Sequence, residues 1–216
     1  MMTPTVFGVD VVRAESVSKR FSKRAVLSGL TLDLREGEVL SVTGPNGTGK
    51  STLLRLLAGT YLPDTGVVYV NEIPTTDKAS RRSVATSYND DRSWYGRLSA
   101  WENLRFWQSL RGPWPGRVAE LFEELGLERT RDVPVAVLSS GQRARLGIVR
   151  ALAASTPLVL LDEPTRAVDV EASEVVARAI VRAKDNGAAV VVATHDDVLR
   201  ESIGGGRLEL TFEPSA

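Results

Sequence analysis

The stretch "EVLSVTGPNGTGKSTLLRLLAG" (Glu38–Gly59) decides the architecture. Its opening, "EVLSVTG" (38–44), is a short apolar run that reads as a buried strand. Its end, "KSTLLRLLAG" (50–59), has the apolar spacing of a helix and stops at Gly59. Between them lies Gly44, Pro45, Asn46, Gly47, Thr48, Gly49, Lys50, Ser51 and Thr52, which satisfies G-x-x-x-x-G-K-[ST] in the required strand–loop–helix setting. Glycines there let backbone N–H groups approach phosphate oxygens. Lys50 offers a point charge to the β and γ phosphates, and the Ser51 hydroxyl can ligate Mg²⁺. A glycine-rich turn with an incidental lysine is the bland alternative, and the order of the flanking elements argues against it.

Working outward, "LVLLDEP" (158–164) reads as a strand ended by Pro164, which has no N–H for a ladder. "AAVVVATHDD" (188–197) reads as another, entering a polar turn at Thr194. Strands alternating with helical segments argue for a largely parallel sheet covered on both faces. Lys50, Asp162–Glu163 and His195 each follow the carboxyl end of a different predicted strand, the edge where open α/β sheets bind ligands. Adjacent carboxylates at a strand end point in different directions, so one can serve a metal while the other faces a water. Alone, the acidic pair could cap a helix. His195 is the only histidine, and at that edge a ring N–H could hold a phosphate or order a water.

The first third differs. "VRAESVSKRF", "VLSGLTLDLREGEVL" and "TGVVYVNEIP" alternate between glycines, as in antiparallel hairpins. From about Leu98 to Val133 the pattern is helical, with Ser99 and Glu102 spaced as a capping box. "RGPWPGR" (111–117) separates two helices, and "VAELFEELGL" ends near Gly126. We expect one unit over 1–216, with a helical subdomain at about 98–155 inserted in an α/β core.

The 216 residues hold 27 Lys+Arg against 27 Asp+Glu, so no global field draws the chain to nucleic acid. Cysteine is absent, which excludes disulfides and thiolate metal sites and fits a reducing cytoplasm. No signal-peptide pattern opens the sequence. Its longest apolar runs are too short to cross a bilayer, so membrane work would fall to another chain.

A glycine loop and an acidic pair alone would fit a kinase, a GTPase or a helicase-like ATPase. "LSSGQ" (138–142) separates them. Its small hydroxyls and glycine open an amphipathic helix, which suits an anion near the positive dipole end. With it, nearly the whole chain resembles the ATP-binding-cassette (ABC) ATPases. "GPNGTGKST" corresponds to their phosphate loop, "LSSGQ" to the signature (a Ser replacing the first Gly of LSGGQ), and "LVLLDEP" to the acidic strand. "RAVD" (166–169) resembles their Ser-Ala-Leu-Asp loop, departing at Arg166 and Val168, and "ATHD" supplies the switch histidine.

The resemblance implies a P-loop NTPase with an antiparallel β subdomain and a helical subdomain, using ATP and Mg²⁺. It implies Glu163 as general base, with Lys50 and His195 at the γ-phosphate and Ser51 and Asp162 at the metal. Phe21 matches the aromatic position that stacks on adenine; packing within a strand is the alternative. Ser139, Ser140, Gly141, Gln142 and Asp169 would contact ATP held by another copy, giving a homodimer or a heterodimer with a sister subunit. Ordinary N-capping is the bland role for the two serines.

The family's Gln in the loop after the strand near "VATSY" is missing. Asp90 aligns best with it; a carboxylate can accept a metal contact but cannot donate as an amide does. "RSWYGRLS" looks like ATPases of export-type permeases. "LSAWENLRFWQSLRGP" and "DVPVAVLSSGQ" are similar to the small haem-exporter ATPases of cytochrome c maturation. The expectation is a cytoplasmic subunit, peripheral on the membrane, that powers a separately encoded permease. A soluble ABC ATPase driving an assembly complex is the alternative.

Overall fold

The computed structural model describes residues 9–22, 24–88, 94–111, 118–166 and 168–212. The chain begins with β1 (Asp10–Phe21), β2 (Arg24–Arg35) and β3 (Val39–Thr43), then α1 (Lys50–Leu57). Next come β4 (Thr65–Val70), β5 (Ile73–Pro74) and β6 (Val84–Ser87). Three helices follow before the next strand: α2 (Ala100–Arg111), α3 (Val118–Glu124) and α4 (Ser140–Leu152). β7 (Leu158–Asp162), α5 (Val170–Asp185), β8 (Ala189–Ala193), α6 (Asp197–Ile203) and β9 (Gly206–Glu209) complete it.

Two sheets result. One is antiparallel, in the order β2-β1-β4-β5; the other, β6-β7-β8-β3-β9, is parallel at every pairing. Burial with period two explains the parallel sheet's place. In β7, Leu158 and Leu160 enter one core while Val159 and Leu161 enter the other; in β8, Val191 faces the first and Val190 and Val192 the second. The first core also takes Leu53, Leu54, Leu56 and Leu57 of α1 with Val12, Ala14 and Val68 of the antiparallel sheet. The second takes Leu104, Phe122, Leu146, Ile148, Val176 and Ile180 from α2 to α5. β3, β7 and β8 are buried almost throughout, whereas the edge strand β9 is largely exposed, so polar chemistry at the centre of the sheet is confined to the strand ends. Among the described residues no helix is long and apolar enough to cross a membrane.

Local signals account for the helix starts. Ser99 N donates to Glu102 Oε2 (2.8 Å) and Glu102 N to Ser99 Oγ (3.2 Å), the expected capping box of α2. A second such box opens α4: Gln142 N donates to Ser139 Oγ (3.1 Å) and Ser139 N to Gln142 Oε1 (2.9 Å). Near its other end, α4 is tied to the sheet by Arg150, whose Nη2 donates to Thr86 O at 3.2 Å. The same guanidinium lies over the rings of Trp94 (4.3 Å) and Trp107 (5.1 Å). Gly147 permits the close pass of α4 over β6, since a Cβ there would lie 2.8 Å from Ser87 Oγ. Most middle-region aromatics are thus packing residues, as Trp94, Trp101 and Trp107 lie half-buried against the second core. The break at "RGPWPGR" falls mainly on 112–117, outside the described residues.

On the antiparallel sheet, Lys19 Nζ donates to Asp64 Oδ1 (2.9 Å) and the Arg20 amide to Asp64 Oδ2 (2.6 Å). The Lys19 hydrogen bond, then the Arg20 amide, hold the Asp64 carboxyl below its ordinary pKa. No sequence pattern marks β9. Its edge pairing with β3 brings Leu210 beside the glycine loop, where Leu210 N donates to Thr43 O (2.8 Å).

Candidate active site

The carboxyl ends of β3, β7 and β8 open onto a cleft of about 850 Å³. Its wall includes Asn46, Gly47, Gly49, Lys50, Ser51 and Thr52 from the glycine loop and α1, Asp162 at the end of β7 with Glu163 just after it, and His195 after β8. These are residues that the sequence placed at one edge from three separate segments.

Backbone shape makes the loop. Gly44 lies at φ +132°, where a Cβ would stand 2.1 Å from Leu210 O, and Gly49 at φ +106°, where one would meet Val26 Cγ1 at 2.7 Å. Neither position admits a side chain. Thr48 Oγ1 donates to Pro45 O (2.9 Å) and fixes the loop's inner turn. Lys50 is 7% exposed; its Nζ donates to Gly44 O (2.7 Å) and Pro45 O (3.3 Å) and reaches His195 Nε2 at 3.0 Å.

Glu163 takes a left-handed backbone, φ +49°, uncommon for a residue with a side chain and a form of stored strain met at functional sites. Its amide donates to Ala193 O (2.8 Å), so the turn is pinned to β8. The carboxylate faces His195: Oε1 lies 3.2 Å from Nε2, and Oε2 accepts the His195 backbone N–H at 3.3 Å. Asn46 Oδ1 is also 3.0 Å from that ring nitrogen. One nitrogen is thus shared by a donor, Lys50, and two acceptors, Asn46 and Glu163, and its tautomer decides which it serves. Thr165 Oγ1 donates to Asp196 Oδ2 (2.8 Å), and Asp196 Oδ1 caps α6 by accepting from Leu199 N (3.0 Å), which braces the wall behind.

Other expected residues lie apart. Ser139 and Ser140 are exposed at the start of α4, and neither they nor Gly141 and Gln142 belong to the cleft's lining among the described residues. Asp169 caps α5, accepting from Ala172 N at 2.8 Å. Phe21 ends β1, exposed, with its ring edge-on to Tyr61 (5.6 Å between centroids). It pairs in the hairpin with Arg24, which does line the cleft. Gly44, Pro45 and Thr48 shape the loop from behind. Asp90 lies outside the described residues. Arg24, Arg55, Thr165 and Asp196 also line the wall, and no motif in the sequence marks them as wall residues. No spacing rule joins such positions, since only the tertiary fold gathers them.

A glycine loop with a buried lysine, two carboxylates and a histidine at the edge of a parallel sheet define the P-loop nucleotide triphosphatases. The sequence pattern of the family described as "ABC transporter" matches residues 27–166, and the chain belongs to that family. The cytochrome c biogenesis ATP-binding export protein CcmA of Rhizobium meliloti (strain 1021) is 37% identical over 203 residues, 92% of this chain and 96% of that one. CcmA of Nitrosomonas europaea is 32% identical over 211 residues, 94% and 96% of the two chains. Among solved structures, an ATP-binding subunit of an ABC transporter superposes with a TM-score of 0.84 at 25% identity, over 93% of this chain and 85% of that one. The cassette MJ0796, solved as a dimer in a post-hydrolysis state bound to ADP and Pi, gives 0.81 at 29%, over 92% and 94%. The chain is an ATP-binding, ATP-hydrolysing subunit of the ABC type.

Proposed function

We propose that this subunit powers a separately encoded membrane permease of export type, acting from the cytoplasmic face as a head-to-tail pair with itself or a sister subunit. One observation carries the reading: the exposed start of α4 stands apart from the cleft that its own chain offers a nucleotide. The capping box engages the N–H groups of Ser139 and Gln142. The amides of Ser140 and Gly141, in the first turn, have no intrahelical acceptor and sit at the positive dipole end. An anion held by a second copy would satisfy them, with Asp169 near the same seam. The export direction is supported by the relatives named as export proteins.

In this reading residues 1–216 act as one ATPase domain, with 98–155 as its helical subdomain. The amides of Asn46 to Thr52 and the Lys50 ammonium bind the β and γ phosphates. Phe21 lies against adenine. The Ser51 hydroxyl and Asp162 carboxylate, both on the cleft wall, are hard oxygen donors that suit Mg²⁺. Asp90 is a further candidate ligand. Bound with ATP, that ion neutralises charge on the phosphate oxygens. Glu163 takes the proton of the attacking water, and His195 holds the γ-phosphate or orders that water. Attack of that water breaks the bond from the γ-phosphorus to the bridging oxygen, leaving ADP and inorganic phosphate; departure of the phosphate removes the anion joining the two copies and lets them part, which is the stroke passed to the permease.

Glu163→Gln tests the chemistry. Phosphate release should fall about 100-fold or more, and light scattering should show a dimer that persists in Mg·ATP. A monomer with unchanged turnover removes Glu163 as base. For the partner, a multispanning protein copurifying from detergent extracts is the expected result; a soluble scaffold alone would refute the exporter reading.

A further inference from the structure

Among the described residues, the cleft wall carries four cationic side chains: Arg24, Lys50, Arg55 and Arg166. Three are engaged. Arg24 Nη2 donates to Gly47 O (3.2 Å), Arg55 Nη1 to Tyr61 Oη (3.0 Å), and Lys50 to the loop carbonyls already described. Arg166 differs. It is exposed, and its guanidinium makes no hydrogen bond or ion pair among the described residues.

Its backbone is nevertheless well held. Arg166 N donates to Glu163 O at 3.2 Å, closing a turn directly after the carboxylate. Thr165, next to it, is tethered through its hydroxyl to Asp196. An unspent cation is thus mounted on an anchored turn, on the wall that also carries Glu163 and His195. The glycine loop and Lys50 adjoin the same group, Lys50 Nζ and Asn46 Oδ1 each lying 3.0 Å from His195 Nε2. We propose that Arg166 is a ligand of the terminal phosphate of ATP bound in this same cleft, and that it sets a preference for triphosphate over diphosphate. A guanidinium fork matches two phosphate oxygens at once, whereas the Ser of the commoner pattern offers one neutral hydroxyl. ADP lacks the group that Arg166 would touch, so the contact discriminates between substrate and product. The inference rests on the site reading above, in which the γ-phosphate lies toward Glu163.

The test is titration of the full chain with Mg·ATP and Mg·ADP, in a Glu163→Gln background that suppresses turnover. Arg166→Ser restores the commoner residue at an exposed position and should leave the melting temperature unchanged. It should weaken Mg·ATP binding about tenfold or more, the scale of a lost charge-assisted contact, and Mg·ADP less than about twofold. Arg166→Lys, keeping the charge without the fork, should fall between. Equal changes for both nucleotides, or none, overturn the proposal. So does a variant that loses only Mg·ATP-driven dimerisation while its monomer binds ATP normally, since the guanidinium would then serve the neighbouring copy. Lys50→Ala separates the two levels. If it weakens neither nucleotide, the site reading itself fails; if it weakens both while Arg166→Ser leaves their ratio unchanged, only the role of Arg166 does.

Discussion

Ser139→Ala asks whether the start of α4 is held by its cap, by nucleotide, or by both. In the free protein Ser139 Oγ accepts one hydrogen bond, from Gln142 N at 3.1 Å, while the return bond from Ser139 N to Gln142 Oε1 uses no atom of the serine side chain. The substitution therefore removes half of the capping box. Loss of one N-cap hydroxyl costs about 1 kcal/mol, which for a chain of this size lowers the melting temperature by about 2–4 °C. Ser140→Ala is the internal control, because its hydroxyl has no partner among the described residues. It should stay within about 0.5 kcal/mol of the parent. The assay is urea unfolding of nucleotide-free protein followed by tryptophan fluorescence, with the slope m unchanged between variants. In a Glu163→Gln background, both substitutions should weaken the Mg·ATP dimer, Ser140→Ala without any loss of folding stability. A Ser139→Ala protein as stable as the parent, or an equal loss from Ser140→Ala, refutes the capping argument.

Two further outcomes are expected. Gly147→Ala should destabilise the fold by about 1–3 kcal/mol, because its Cβ would lie 2.8 Å from Ser87 Oγ; adding Ser87→Ala should recover much of the loss in the same urea assay. Asp64→Asn should be less stable than the parent at pH 7. The Asp64 pKa is lowered on folding, so its contribution is fully present above the unfolded carboxylate pKa of about 3.9 and is lost as pH falls through the lower folded value. The gap between the two melting temperatures should close on acidification, and a gap that widens in acid contradicts the assignment.

What was legible follows from the range of the forces involved. The glycine loop is legible because its neighbours in sequence do the work: strand, turn and helix are contiguous from Val39 to Leu57. The capping box at Ser99 depends on residues three apart and is legible for the same reason; at Ser139 the sequence suggests an N-cap, and the return bond to Gln142 is added by the structure. β9 escaped notice because "GRLE" has no alternation of its own and becomes a strand only by pairing with β3. The cationic wall was equally hidden, as Arg24, Arg55 and Arg166 come from three distant segments gathered by burial elsewhere. The left-handed backbone of Glu163 follows from its tether to Ala193 O, a partner thirty residues away in the chain. Local pattern supplies the carboxylate; the neighbouring strand sets its direction.

The Arg150 clasp has a mechanical corollary. From Ser140 to Arg150 the helix rises about 15 Å, and its far end is bonded to Thr86 and stacked on Trp94 and Trp107. Force applied to either indole is therefore felt at the opposite tip of a stiff rod. Because Leu146 and Ile148 seat the same helix in the second core, the aromatic face and Ser140 belong to one stiff element, and a shift of either would carry the other.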